Sequence, residues 1–165
     1  MRFHGLALLA GAAVLGACGG GGEKKADTTA APAATATTPA AAPAAGAVAK
    51  VAATGANHDV KMVGDDKGYR FEPADLTIKS GDAVTFTMVS GGPHNVAFDP
   101  ATVPADSKAQ LDANMDQKMA TLQSPMLVNP GDKYVVSFGG VKPGTYEFHC
   151  TPHLAMNMKG KVTVQ

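Results

Sequence analysis

Cysteine is nearly absent. The 165-residue chain has only Cys18 and Cys150, too few for a disulfide-built scaffold. A basic stripe is also missing: 14 Lys/Arg balance 14 Asp/Glu, and from Asn57 to Gln165 ten basic residues face twelve acidic ones. That excludes a nucleic-acid binder. No apolar run reaches the ~20 residues of a membrane-spanning helix. Large apolar side chains are scarce in the first third. Of 30 Ala, only nine follow residue 56, whereas every Tyr, and every Phe but Phe3, lies beyond residue 68. The core-forming residues therefore sit in the last 109 positions, enough for one small domain.

The composition divides the chain into three. Residues 1–17 read as a signal peptide: Arg2 starts it, and Gly5 to Ala17 is an apolar stretch of secretory rather than spanning length. It closes on Leu15-Gly16-Ala17-Cys18, similar to the lipobox of bacterial lipoproteins, in which the Cys is lipidated and becomes the mature N-terminus. Residues 18–56 then hold the lipidated Cys18 and a linker. Its positions 19–56 carry 16 Ala, six Thr, six Gly and three Pro, with Val48 and Val51 as the only larger apolar side chains. Such a segment cannot offset the entropy of its own ordering. As a flexible coil it spans about 35 Å, a tether long enough to lift a domain off a membrane. The expected location is the bacterial cell envelope, anchored by lipid and facing the periplasm or the exterior.

Residues 57–165 show short alternating runs broken by Gly, Pro and Asp, the pattern of a β-sandwich or barrel. His58 to Val63 is a first strand. Leu76 and Ile78 share a face, as do Val84, Phe86 and Met88. His94, Val96 and Phe98 share a parity, and so do Tyr134, Val136 and Phe138. After Pro143-Gly144, the side chains of Tyr146, Phe148 and Cys150 face one way, while those of Thr145, Glu147 and His149 face the other. One segment departs from this. Between Asp106 and Leu122, residues Leu111, Met115, Met119 and Leu122 recur at helical spacing, which predicts a short helix capped by Asp106 or Ser107.

The chemistry concentrates near the C-terminus, in Cys150-Thr151-Pro152-His153-Leu154-Ala155-Met156-Asn157-Met158. A thiol, an imidazole and two thioethers share one inter-strand loop. Cys150 faces inward with Tyr146 and Phe148, and His94 faces inward with Val96 and Phe98. A sandwich brings such positions together. Two His, one Cys and a weakly bound Met are the donors of a blue-copper site, where soft sulfur suits Cu(I) and imidazole suits both oxidation states.

At this point the chain resembles the cupredoxins, and within them the plastocyanin-like proteins. The likeness rests on Phe71-Glu72-Pro73, on Ile78 to Phe86, and on Gly92-Pro93-His94-Asn95-Val96. It extends to Cys150-Thr151-Pro152-His153 and to Met158-Lys159-Gly160-Lys161-Val162-Thr163-Val164. The resemblance implies an all-β Greek-key sandwich with one short helix in a long connection. It implies one copper ion held by His94, Cys150, His153 and Met158, with Met156 as the rival for the last position. Asn95 would tie the two ligand loops together, with Thr151 as its partner. The family's function would make this chain a one-electron carrier and not an enzyme. Its partners would be redox proteins such as a cytochrome or a terminal oxidase, with the chain a monomer. His149 stands where plastocyanins have Tyr, which departs from the pattern.

Other readings of the same residues fit less well. Zinc accepts two His and a Cys, but Met is a poor zinc ligand. A Cys150–His153 nucleophile lacks a third group to orient the His. A Cys18–Cys150 disulfide leaves the two His unexplained. Met115 and Met119 are expected to line the helix face rather than form a second copper site. An alternative function is a copper-binding module for storage, delivery or sensing. The docking face is expected at His153, Leu154, Ala155 and Met156, with the His153 ring edge reaching the surface inside an apolar rim.

Overall fold

The computed structural model describes residues 47–165. Cys18 and most of the expected tether lie outside them. Eight strands form two four-stranded sheets. One sheet has the order β2-β1-β4-β6 and the other β3-β8-β7-β5. The strands are β1 Asn57–Asp65, β2 Gly68–Glu72, β3 Asp75–Ile78, β4 Ala83–Met88 and β5 Ala97–Phe98. After helix α1, Ala105–Ala113, come β6 Lys133–Ser137, β7 Gly144–His149 and β8 Lys159–Val164. β1 runs parallel to β4, and β3 to β8; the other pairs are antiparallel.

The period-2 apolar residues meet between the sheets. Phe71 of β2 and Phe86 of β4 contact Phe148 of β7 edge to face, at centroid distances of 4.8 and 5.2 Å. Phe98, Phe138 and Tyr146 extend this line of rings. Edge-to-face rings align each ring's positive rim with its neighbour's negative face, which favours one fixed arrangement over a fluid core. In β7, Tyr146 and Phe148 are buried, as is Cys150 just past its end, while Thr145 and Glu147 are exposed. Cys150 is thereby delivered to the inner face at the strand's end.

Two features differ from the sequence reading. The helix ends at Ala113 instead of continuing to Leu122, and its N-cap is Pro104 without a side-chain cap. Ser107 is buried, and its Oγ accepts the Lys142 N–H instead. The chain leaves the helix because polar side chains make tertiary bonds there. Asn114 Nδ2 donates to the Ser137 and Gly139 carbonyls at 2.9 and 2.8 Å. Asp112 Oδ1 accepts the Leu122 N–H at 2.7 Å. Leu111, Met115 and Leu122 still reach the core, but Met119 is exposed. The four residues do not form one helix face.

The second difference is the domain's start. Residues 49–56, expected in the linker, are bonded along the folded unit. The Ala49 carbonyl accepts from Gln110, and Val51 N–H donates to Asn114 Oδ1. The Val51 carbonyl accepts Ser137 Oγ–H, and Ala56 is bonded through both backbone groups to Asp82 and Ala83. This strap is held by its backbone, so its Ala-rich composition carries no sign of it.

Candidate metal centre

Two loops converge beyond the Met62–Met88 end of the β1–β4 pair, beside the start of β2. The first loop follows β4 and carries His94. Reciprocal backbone bonds with Leu127, 3.0 and 2.8 Å, pin its backbone. His94 thus sits on a single bridge rather than within a longer strand. Its Nε2 donates to the Ser90 carbonyl at 2.8 Å, which leaves the Nδ1 lone pair facing inward.

The second loop carries Cys150 and His153. Cys150 N–H donates to the Met158 carbonyl and Met158 N–H to the His153 carbonyl, at 3.1 and 3.2 Å. The loop is therefore closed on itself. Leu154–Met156 forms one 3₁₀ turn, ended by Asn157 at φ 61°, a left-handed conformation that Asn tolerates better than most residues. Asn95 links the two loops: its Oδ1 accepts the Thr151 N–H at 2.7 Å, and its Nδ2 donates to Thr151 Oγ1 at 3.2 Å.

The donors meet. His94 Nδ1 lies 3.6 Å from Cys150 Sγ, His153 Nδ1 lies 3.4 Å from it, and the two nitrogens are 3.1 Å apart. These edges enclose a point about 2 Å from each donor, a typical length for a metal–imidazole bond. Burial holds both imidazoles below the usual histidine range and pushes the thiol above its own. Two neutral imidazoles offer lone pairs, and the thiol must release its proton to become a ligand. The backbone N–H groups of Asn95 and His153 partly oppose that rise. The residues present thus fit a soft metal ion.

Met158 and Met156 differ sharply. Met158 is fully buried, whereas Met156 is 54% exposed. Leu154 is 41% exposed, and Ala155 is exposed too. His94 is 0% and His153 7% exposed, so His153 is the ring nearer the surface. It is less open than expected, because Tyr69 of β2 lies flat against it, with centroids 3.8 Å apart and planes 13° from parallel. Sequence reading gave Tyr69 no role and reached β2 only through the resemblance at Phe71-Glu72. The turn residues Asp66-Lys67-Gly68 between apolar runs were the available signal. His149 lies on the other face of β7, half-buried. Among the described residues, the cluster of His94, Cys150 and His153 is the one group of three or more His, Cys, Asp or Glu placed to share an ion.

Comparison with known proteins points the same way. The family described as copper binding proteins, plastocyanin/azurin family, matches residues 58–165. The chloroplastic plastocyanin of Physcomitrium patens is 42% identical over 105 residues, which cover 64% of this chain and 56% of that protein's length. Plastocyanin of Rumex obtusifolius is 37% identical over 107 residues, 65% of this chain and 99% of the relative. The solved structure of oxidized plastocyanin from Dryopteris crassirhizoma shares 38% identity at a TM-score of 0.46. It matches 65% of this chain and 99% of its own.

Proposed function

Because the chain belongs to the plastocyanin/azurin family of copper-binding proteins, whose members are electron carriers and not enzymes, we propose that it is a blue copper protein. In this reading it carries one electron at a time between redox partners in the cell envelope. The observation that supports this most is the buried triangle of Cys150 Sγ and two His Nδ1 atoms, with edges of 3.1–3.6 Å. Bound copper supplies a Cu(II)/Cu(I) couple, and the soft sulfur and borderline nitrogen donors suit both states.

The protein's part is to keep those donors still. In this reading His94, Cys150 and His153 would hold the copper ion, with buried Met158 as the fourth, weakly bound ligand. Ser90 orients His94, and Asn95 with Thr151 locks the two loops together. A site that moves little between oxidation states exchanges electrons quickly. Leu154, Ala155 and Met156 form an apolar rim beside His153, suited to brief docking of a redox protein. The Leu15-Gly16-Ala17-Cys18 sequence supports a lipid anchor at Cys18 and a place in the bacterial envelope. Cys18→Ala would then abolish lipid labelling; unchanged membrane attachment would contradict the anchor.

Exposed Met156 favours the second reading, a module that delivers, stores or senses copper. Cycling separates the two. The copper-loaded protein is reduced with ascorbate and reoxidised with ferricyanide beside an excess of a Cu(I) chelator. A carrier returns to its full colour over repeated cycles. Stepwise loss of copper to the chelator would favour delivery and overturn the carrier.

A further inference from the structure

The two histidines are oriented by different means. His94 has a hydrogen bond on its outer nitrogen, to the Ser90 carbonyl. Among the described residues, the His153 ring forms hydrogen-bond contacts only through Nδ1, toward the other donors. It also sits on a loop, where no ladder fixes its χ angles. What it has is Tyr69, stacked face to face at 3.8 Å and set edge-on to His94 at 6.2 Å.

Tyr69 is itself held by a gap. Its cross-strand partner is Gly64, and a Cβ at Gly64 would lie 2.7 Å from Tyr69 Cε1 and 2.9 Å from the Gly91 Cα. The missing side chain is the space the ring occupies. Gly64 also donates its N–H to the Ser90 carbonyl at 2.9 Å, the same carbonyl that orients His94. One strand end thus supports both imidazoles. The Tyr69 hydroxyl forms no hydrogen bond among the described residues, so the ring face is what contributes.

We infer that Tyr69 is a positioning residue of the copper site, holding the His153 ring in its ligating orientation by stacking. The inference rests on His153 being a copper ligand. Reduction lowers the charge that the imidazoles share, so the ring without an outer hydrogen bond is the one freed most easily. The stack on Tyr69 needs no bond to the metal, so it can keep that ring in place in either state.

The test has two arms. In copper-free protein, NMR should show the His153 ring protons displaced upfield by the Tyr69 ring current, and Tyr69→Leu should remove that displacement. Undisplaced His153 protons in the wild type would overturn the inference. In copper-loaded protein, transfer of Cu(I) to an excess of chelator should accelerate about three- to tenfold in Tyr69→Leu, the range expected for a lost aromatic pair. Tyr69→Phe should keep the wild-type rate. Ile78→Ala, a core truncation at the opposite end, controls for general loosening and should also keep it. Equal acceleration in Phe and Leu variants, or in Ile78→Ala, would overturn the inference. A wild-type protein that fails to turn blue would sink the copper reading instead. The copper-free measurement would still judge the stack.

Discussion

At the scale of single residues, the site is a matter of which donors are buried and what holds them. Cys150 is inward because it continues the parity of β7, which the sequence shows directly, whereas His94 is placed by its bridge to Leu127 and its bond to the Ser90 carbonyl. Burial supports Met158 over Met156 as the fourth ligand; the alternating pattern of the last strand points to that difference, but the loop before it conceals it. In this account Met158→Gln keeps a coloured site and lowers its potential, because a harder oxygen donor favours Cu(II). Met156→Gln, at an exposed position, changes the potential little. Voltammetry of the two variants checks this, and the reverse order would make Met156 the ligand. Tyr69 was not legible. Its role comes from a glycine on the neighbouring strand, a pairing that only the turn at Asp66-Lys67 marks.

At the scale of elements, strands were legible and their ends were not. The alternation at Val84-Thr85-Phe86 or Tyr146-Glu147-Phe148 reports a half-buried ribbon wherever it occurs. The helix was overextended because Leu111, Met115, Met119 and Leu122 match a helical period, while Asn114 and Asp112 hold tertiary partners that stop it. The strap at residues 49–56 was invisible for a similar reason: its bonds are made by backbone groups. Asp82 organises that end of the sandwich. Its carboxylate accepts the Ala56 and Lys79 N–H groups and contacts His58 Nε2 at 2.8 Å. The Lys79 N–H, His58 and the Ala56 N–H together hold its pKa below the usual carboxylate value. A depressed carboxylate stabilises the fold above its unfolded pKa, about 3.9, and the contribution is lost as pH falls through the lower folded value. Asp82→Asn should therefore lower stability near neutrality and flatten the acid limb of the stability–pH curve. Denaturant titrations from pH 7 down to pH 2 measure this. An unchanged acid limb in the variant would show that Asp82 does not hold the strap.

At the scale of the whole molecule, charge and polarity set how the domain meets others. Acidic residues of the 99–126 connection have partners: Asp106 with Lys142, Asp112 with Lys118, and Asp116 with Lys50. With a near-neutral domain and these pairs, long-range steering is weak, and docking falls to the apolar rim. Leu154→Glu or Met156→Glu should slow electron exchange with a redox partner by roughly tenfold, the equivalent of about 1.4 kcal/mol at the contact, with the copper spectrum nearly intact. Stopped-flow exchange at low and high salt checks this. Unchanged rates in both variants would move the docking face elsewhere. The strap joins the domain at the Asn57–Ala83 end of the β1–β4 pair, while the metal loops lie beyond Met62–Met88, about 17 Å further along the strand. All of this depends on the three buried donors sharing one copper ion. The most direct measurement is a Cu(II) titration of the protein and of Cys150→Ser, read by visible absorption and electron paramagnetic resonance. The account predicts an intense blue band that saturates at one copper per chain and is absent from the variant. A wild type that binds copper without colour, or a Cys150→Ser protein that stays blue, would contradict it.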